Sequence, residues 1–359
     1  ESLLMTVIAL VIAVVLAVAL LPQFNAITNK QMVLQPDQNL LITAFIITII
    51  TGLVSGSYPA LYLSGFRPVA ILKGKLKLSF GEMLARKGLV VFQFAISVIL
   101  IVAVLVVYKQ MELIQTKNLG YSRDNIVYFD VEEKTEAFAN EIKRLPGVIN
   151  TTRFYHDLTG NNGTAWGFKW QDQQPGGEDI KFTNLEVGYD FTETFNMQIV
   201  EGRSFSKQFG NDNQLILNEA AIQAMGLKNP IGKTFNLWGR ERTIVGVVKN
   251  FHYNSLYSAI GPAFLNLVPF HPGPNKVMVK LKNGTEKNTI AKLQQIYQQH
   301  NPGLSFDFKF MDEDYQALYA SERRVTVLSK YFATLAIVIS CLGLFGLAAF
   351  TAEKRRKEI

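Results

Sequence analysis

A single cysteine, Cys341, stands among 359 residues, so no intramolecular disulfide can form. An extracytoplasmic region without disulfides is usual in bacteria and less expected of a eukaryotic ectodomain. The four histidines, His156, His252, His271 and His300, are scattered with no pair at metal-ligand spacing and no thiol nearby. No G-x-S-x-G elbow occurs, and Asp312-Glu313-Asp314 reads as the charge-favoured start of a helix, not as an acid–base pair. Gly226-Leu-Lys-Asn-Pro-Ile-Gly232-Lys233-Thr234 mimics a phosphate-binding loop, but has five residues between its glycines where that loop needs four. Pro230 also removes a backbone donor. The segment is a turn, and neither a metal nor another cofactor is expected.

Charge is missing from four long stretches. Ser2–Leu21, Asn39–Phe66, Gly88–Tyr108 and Tyr331–Ala352 each run 20 residues or more without a charged side chain. About 20 apolar residues cross a bilayer as a helix. A wholly soluble protein is excluded. These runs also lack any ionisable group at bilayer depth, which a proton- or ion-coupled carrier would need.

The net charge of +7 is confined to two short segments. Arg67, Lys73, Lys75, Lys77, Arg86 and Lys87 face only Glu82, and Lys354–Lys357 face Glu353 and Glu358. Between them, Lys109–Val327 carries 24 basic and 24 acidic residues. Short basic loops stay cytoplasmic, whereas long domains translocate largely regardless of charge. The expected order is a transmembrane helix at 1–21 and another at 39–63, then a cytoplasmic basic loop at 64–87. A third helix follows at 88–108, an extracytoplasmic domain with stalk helices at 109–327, a fourth helix at 328–352, and a cytoplasmic segment at 353–359. Topology alone explains the basic loops, so no nucleic-acid partner is expected; membrane lipid is. The first run has a small-residue Ala17-Val18-Ala19 site but no basic n-region, so it reads as a span and not a signal peptide. Without an initiator Met, the chain reads as a piece of something longer.

Within the runs, Gly52 and Gly56 have the small-xxx-small spacing that brings helix backbones together, and Gly343 and Gly346 suit the same role. Ser57-Tyr58-Pro59 is expected to kink or end the second helix.

The exterior region alternates strand and helix patterns. Asn125–Val131 is strand-like, and Thr135–Leu145 presents Phe138, Ile142 and Leu145 on one helical face. Pro146-Gly147 stops that helix, and Val148–Tyr155 resumes as a strand. The same form returns in Lys276–Lys282, Thr285–His300 and Leu304–Met311, with Thr285 expected as N-cap. Two β-α-β units about 120 residues apart predict one split sheet with a β-rich insertion at 156–274. Trp166–Trp170, Gln214–Asn218 and Arg242–Val248 are its strands, and Glu219–Met225 is a helix ending at Gly226. The fold class is thus a membrane protein with helical spans and an α+β extracytoplasmic domain.

The third run continues into Lys109–Lys117 with no breaker, and Asp312 is expected to cap a helix that enters the fourth run uninterrupted. Both helices bordering the exterior domain therefore read as continuous stalks.

At this point the residues resemble the FtsX-like permeases. Ser57-Tyr58-Pro59-Ala60-Leu61-Tyr62-Leu63-Ser64 leading to Pro68–Gly74 is similar to the end of one such unit, and Arg86–Phe94 to the start of the next. Leu217-Asn218-Glu219-Ala220-Ala221, Pro230-Ile231-Gly232-Lys233 and Val245–His252 resemble the family's extracytoplasmic core. Cys341–Leu347 and Glu353–Ile359 resemble its second helix and cytoplasmic exit. The resemblance is to MacB-type permeases of the duplicated, two-unit kind found in Bacteroidetes, of which this chain holds four of eight helices. It implies a bacterial inner-membrane, multi-pass permease with its large domain in the periplasm. It also implies mechanotransmission driven by a separate or fused cytoplasmic ABC ATPase, not catalysis by this chain.

The expected activity is export or extraction of amphipathic substrates (peptides, drugs or lipoproteins), with a periplasmic or outer-membrane partner. Glu353, Arg355, Arg356 and Glu358 are the residues expected to couple to the ATPase. The alternative is an FtsX-like transducer that controls an extracytoplasmic partner such as a cell-wall hydrolase.

Overall fold

The structure, a computed structural model, describes residues 1–35, 37–64, 80–131, 135–156, 158, 162–209, 213–268 and 275–356. The basic residues Arg67, Lys73, Lys75 and Lys77, the Pro68–Gly74 motif, His271 and Glu358 lie outside the described residues. The chain divides into two units, Glu1–Glu112 with Ser321–Ile359, and Leu113–Ala320.

The first unit is helical. It contains α1 (Ser2–Thr28), α2 (Gln38–Ser64), most of α3 (Phe80–Thr116) and most of α9 (Ala320–Arg356). Among the described residues, these are the four helices long and apolar enough to cross a membrane. Their large apolar side chains, Leu4, Val15, Phe45, Phe92 and Phe345 among them, stand exposed. That exposure is costly in water and free of cost in hydrocarbon, where the helix already satisfies its own backbone. The third helix starts earlier than expected, at Phe80, inside the loop expected at 64–87. Pro22 lies inside α1, which ends only at Asn29 in a left-handed cap. Likewise α2 continues through Ser57-Tyr58-Pro59 to Ser64 instead of ending there. Neighbouring helices let a spanning helix tolerate proline.

The second unit is built on one twelve-stranded sheet. The strands β1 (Ile126–Val131), β2 (Val148–Phe154), β11 (Asn275–Leu281) and β12 (Phe308–Phe310) pair antiparallel in the order β12-β1-β11-β2. The helix α4 (Thr135–Lys143) links β1 to β2, and α7 (Glu286–His300) links β11 to β12. Each β-α-β unit therefore leaves one strand position open, and a strand of the other unit fills it. This is the split arrangement that the repeated pattern predicts. Alternation sorts the two faces. Val127, Phe129, Val131, Val277, Val279 and Leu281 pack under Phe138, Ile142, Leu293 and Ile296 of the helices. Ile126, Phe154 and Met278 turn to the opposite face and a second core. Thr285 takes the N-cap position of α7, but its hydroxyl donates back to Lys282 O and makes no capping bond. The strand expected over 304–311 shrinks to three residues because Met311 already begins a helix.

The insertion continues the same sheet through a single bridge, Phe154 opposite Val187. It comprises β3 (Thr164–Ala165), β4 (Lys169–Trp170), β5 (Phe182–Val187), β6 (Ile199–Gly202), β7 (Gln214–Asn218), β8 (Thr234–Leu237), β9 (Arg240–Val248) and β10 (Ala263–Leu267). The short helices α5 (Phe191–Thr194) and α6 (Glu219–Met225) complete it. Every residue of β7 and β10 is buried, as suits strands covered on both faces. Of the strand expected over Trp166–Trp170 only Lys169–Trp170 forms, and Phe168 beside it packs on Phe182, Phe235 and Phe264. A two-residue turn, Trp238-Gly239, joins β8 to β9 with both residues at positive φ.

Candidate functional site

The exterior unit begins with the last turn of α3, and Asn118–Arg123 follows at once. Gly120 has φ +83, and a Cβ there would fall 2.6 Å from Asn250 O and 2.8 Å from Phe251 Cα. Only glycine fits this approach. His252 N donates to Leu119 O at 2.8 Å, and Ser122 N donates to Phe195 O at 2.7 Å. The residues after α3 are thus stitched to the loop that follows β9.

That loop carries one of the motif blocks, and the fold brings it onto another. Asn250 N donates to Glu219 Oε2 at 2.8 Å, while Ala220 N donates to Asn250 Oδ1 at 2.9 Å. Asn218 caps α6 through Ala221 N, and its Oδ1 also accepts from Ala263 N, both at 2.9 Å. Leu217–Ala221 and Val245–His252 therefore form one hydrogen-bonded knot. Its role is architectural: it satisfies buried backbone donors that otherwise would be costly.

The returning helix grips the same root. Helix α8 (Met311–Leu318) starts at Phe310 with Asp312, Glu313 and Asp314 in its first turn. Asp312 does not cap it. Its carboxylate accepts from Arg123 Nε at 2.7 Å instead. The Arg123 guanidinium lies over the Tyr315 ring at 3.8 Å, and Tyr315 Oη donates to Ile114 O at 2.9 Å. Tyr128 Oη is bonded to Asp314. One side chain, Arg123, so connects the end of α3 to the start of the return.

The expected uninterrupted helix is not found. Between α8 and α9, Tyr319 leaves the helical conformation with φ −109 and ψ 20. No glycine or proline causes this. Tyr319 is buried at 3% exposure, stacks near Tyr315 at 5.1 Å, and accepts from Leu256 N at 2.9 Å. Satisfying a buried tyrosine against the loop outweighs one intrahelical hydrogen bond. Burial raises the pKa of both Tyr121 and Tyr315, so both stay neutral at physiological pH.

In the helical unit, the polar residues meet across helices. Gln93 Nε2 donates to Ile339 O at 2.9 Å, and Ser97 and Ser340 hydroxyls lie 2.5 Å apart, joining α3 to α9. A Cβ at Gly343 would fall 2.7 Å from Gln93 Oε1. At Gly52 it would fall 2.6 Å from Leu3 Cδ2, and at Gly56 3.1 Å from Ser2 Oγ. Gly346 has no group this near among the described residues. Gln23 Nε2 donates to Tyr331 Oη at 3.0 Å. Glu353, Arg355 and Arg356 stand on the last turns of α9.

The remaining sequence features resolve as structure. Lys233 of the mimic loop pairs with Asp172 at 2.9 Å, and His300 meets Glu141 at 2.8 Å. Among the described residues no three His, Cys, Asp or Glu side chains are grouped for a metal. The Arg123–Tyr315–Tyr319 cluster was missed in the sequence. Its one signal is the spacing of Tyr315 and Tyr319, which puts both on one helical face.

The sequence model of one family, the MacB-like periplasmic core domain, matches residues 88–296. The chain belongs to that family, which makes it a MacB/FtsX-type ABC permease. The macrolide export ATP-binding/permease protein MacB of Chromobacterium violaceum is 22% identical over 194 residues, covering 50% of this chain and 30% of that protein. The chain thus spans under a third of the length of that curated relative. Among solved structures, the periplasmic region of MacB from Actinobacillus actinomycetemcomitans is similar at TM-score 0.41 and 14% identity, over 57% of this chain and 97% of that one. The extracellular domain of the noncanonic ABC-type transporter YknZ from Gram-positive bacteria is similar at TM-score 0.37 and 14% identity, over 51% and 97%.

Proposed function

We propose that this chain is the permease part of an ABC-type transporter that carries ATPase-driven motion through α3 and α9 to a periplasmic unit. The motion serves export or extraction of amphipathic substrates such as peptides, drugs or lipoproteins. The observation that carries this reading is the root cluster, where Arg123 bonds Gln115 O of α3 and Asp312 of α8 and lies over Tyr315, which itself donates to Ile114 O of α3. Motion along either helix enters the sheet there. A continuous helix is about 1.5 Å long per residue, and α3 runs 37 residues without a break. The Gln93 and Ser97 bonds support joint movement of the two helices.

In this reading ATP is hydrolysed on an ATPase and not on this chain, and Glu353, Arg355, Arg356 and Glu358 meet that ATPase. The chain sits in the bacterial inner membrane with four crossings, as half of a duplicated permease. Reversing these four charges in the full-length protein is expected to lower permease-stimulated ATP turnover at least tenfold. Unchanged turnover would remove the coupling assignment.

A second reading, a transducer acting on an extracytoplasmic partner, is favoured by two indoles. Trp166 and Trp238 are 61% and 60% exposed on the exterior unit. Affinity capture from membranes decides between them: a cell-wall hydrolase supports the transducer, and an outer-membrane channel supports the exporter.

A further inference from the structure

The exterior unit has a second connection between its return helix and its sheet, one that the root cluster does not use. In the sheet, β9 and β10 flank β7, so a chain joining them has to cross two strand spacings, about 10 Å. About three extended residues cover that distance. The connection instead takes all of Lys249–Pro262, with no helix or strand of its own. Irregular connections beyond about 12 residues are uncommon inside compact domains and usually carry function.

Both ends of this connection are pinned to one place. At the first, Asn250 N donates to Glu219 Oε2 at 2.8 Å and Asn250 Oδ1 accepts from Ala220 N at 2.9 Å. At the other, Asn218 Nδ2 donates to Gly261 O at 2.9 Å. Asn218, Glu219 and Ala220 are consecutive, so both ends meet where the buried strand β7 turns into α6. The middle reaches the opposite way. Leu256 N donates to Tyr319 Oη at 2.9 Å, and the Tyr257 and Tyr319 rings lie 6.3 Å apart. Leu256 and Ile260 pack, partly buried, against the core that holds Tyr319. The surplus length thus carries the chain from the β7–α6 junction to the end of α8 and back.

We infer that Lys249–Pro262 is a strap that relays displacement of α8 to the insertion, with the Tyr319 phenol as its fastening and the β7–α6 junction as its output. The inference rests on the transmission reading and adds a route to it. Arg123 ties α8 to the residues after α3, whereas Tyr319 ties α8 to α6 across the sheet. Tyr319 is therefore a positioning residue that acts through Leu256 and Asn250. The hydrogen bond to the Glu219 carboxylate is charge-assisted and stronger than the neutral one to the phenol. Loss of the phenol oxygen alone disconnects the route and leaves the junction intact.

The test is amide hydrogen exchange on the full-length protein with the ATPase proposed to drive it, at rest and during ATP turnover, for the parent and Tyr319→Phe. Phenylalanine keeps the buried ring and removes the oxygen that Leu256 N needs. At rest, the Leu256 amide should exchange about fivefold faster in the variant, the effect of one lost hydrogen bond. Turnover should change exchange over Met311–Leu318 in both proteins, and at Ala220, whose amide grips the strap, in the parent alone. A purely structural tyrosine would not make the Ala220 response depend on turnover. An equal change at Ala220 in both proteins would overturn the strap. In the parent alone, a change over Met311–Leu318 with none at Ala220 would also overturn it while the transmission reading stands. No change over Met311–Leu318 in the parent would remove both.

Discussion

Replacing Arg123 by methionine keeps the apolar stem and removes the guanidinium. Three interactions go with it: the ion pair to Asp312 at 2.7 Å, the contact over Tyr315 at 3.8 Å, and a long hydrogen bond to Gln115 O at 3.4 Å that adds little. The Arg123 side chain is 16% exposed but Asp312 is 41% exposed, so the abandoned carboxylate rehydrates. A half-screened pair contributes about 1 kcal/mol. The guanidinium on a largely covered ring contributes about 1 kcal/mol more. Their sum, about 2 kcal/mol, lowers the melting temperature of a domain of this size by about 4–8 °C. All three tryptophans, Trp166, Trp170 and Trp238, lie in the exterior unit, so indole fluorescence reports that unit alone. A double-mutant cycle with Asp312→Asn isolates the pair, and a coupling near 1 kcal/mol is expected. A melting temperature within about 1 °C of the parent would refute the idea that Arg123 fastens the root.

Other consequences follow from the same geometry. Gly52→Leu forces a side chain into Leu3 and Thr6, so it should weaken α1–α2 packing by about 1–3 kcal/mol, read as a lower unfolding midpoint in mild detergent mixtures. Gln93→Leu removes one interhelical hydrogen bond in lipid and should cost about 0.6 kcal/mol, with Ser97→Ala adding a similar amount. Burial and nearby Lys117 lower the pKa of His252 in the folded protein. The unfolded chain then binds the extra proton at higher pH than the folded one, so stability is full above about 6.5 and declines as pH falls below it. His252→Asn should flatten that decline in melting curves from pH 7 to 5.

Much of this architecture is legible from periodicity. The four spans announce themselves by length without charge. Val127, Phe129 and Val131 against Val277, Val279 and Leu281 declare two strands that share a face, and α6 is bounded by Asn218 and Gly226 as capping chemistry demands. What the sequence hid depends on partners distant in the chain. Tyr319 interrupts its helix because Leu256 N, 63 residues away, offers a hydrogen bond to a buried phenol. Asp312 looks like a cap because acidic residues favour a helix start, yet Arg123, 189 residues away, claims it. Pro22 reads as a helix end, because a proline rule learned in water overstates the cost inside a helix bundle.

The most direct examination of the transmission account is hydrogen exchange on the full-length protein together with the ATPase proposed to drive it, at rest and during ATP turnover. Three glycines inserted after Gln110, inside α3, and three after Ser329, inside α9, break both rods without touching the root cluster. The account predicts that turnover changes exchange across Met311–Tyr319 in the parent and leaves it unchanged in the insertion variant. An equal change in both proteins would contradict it.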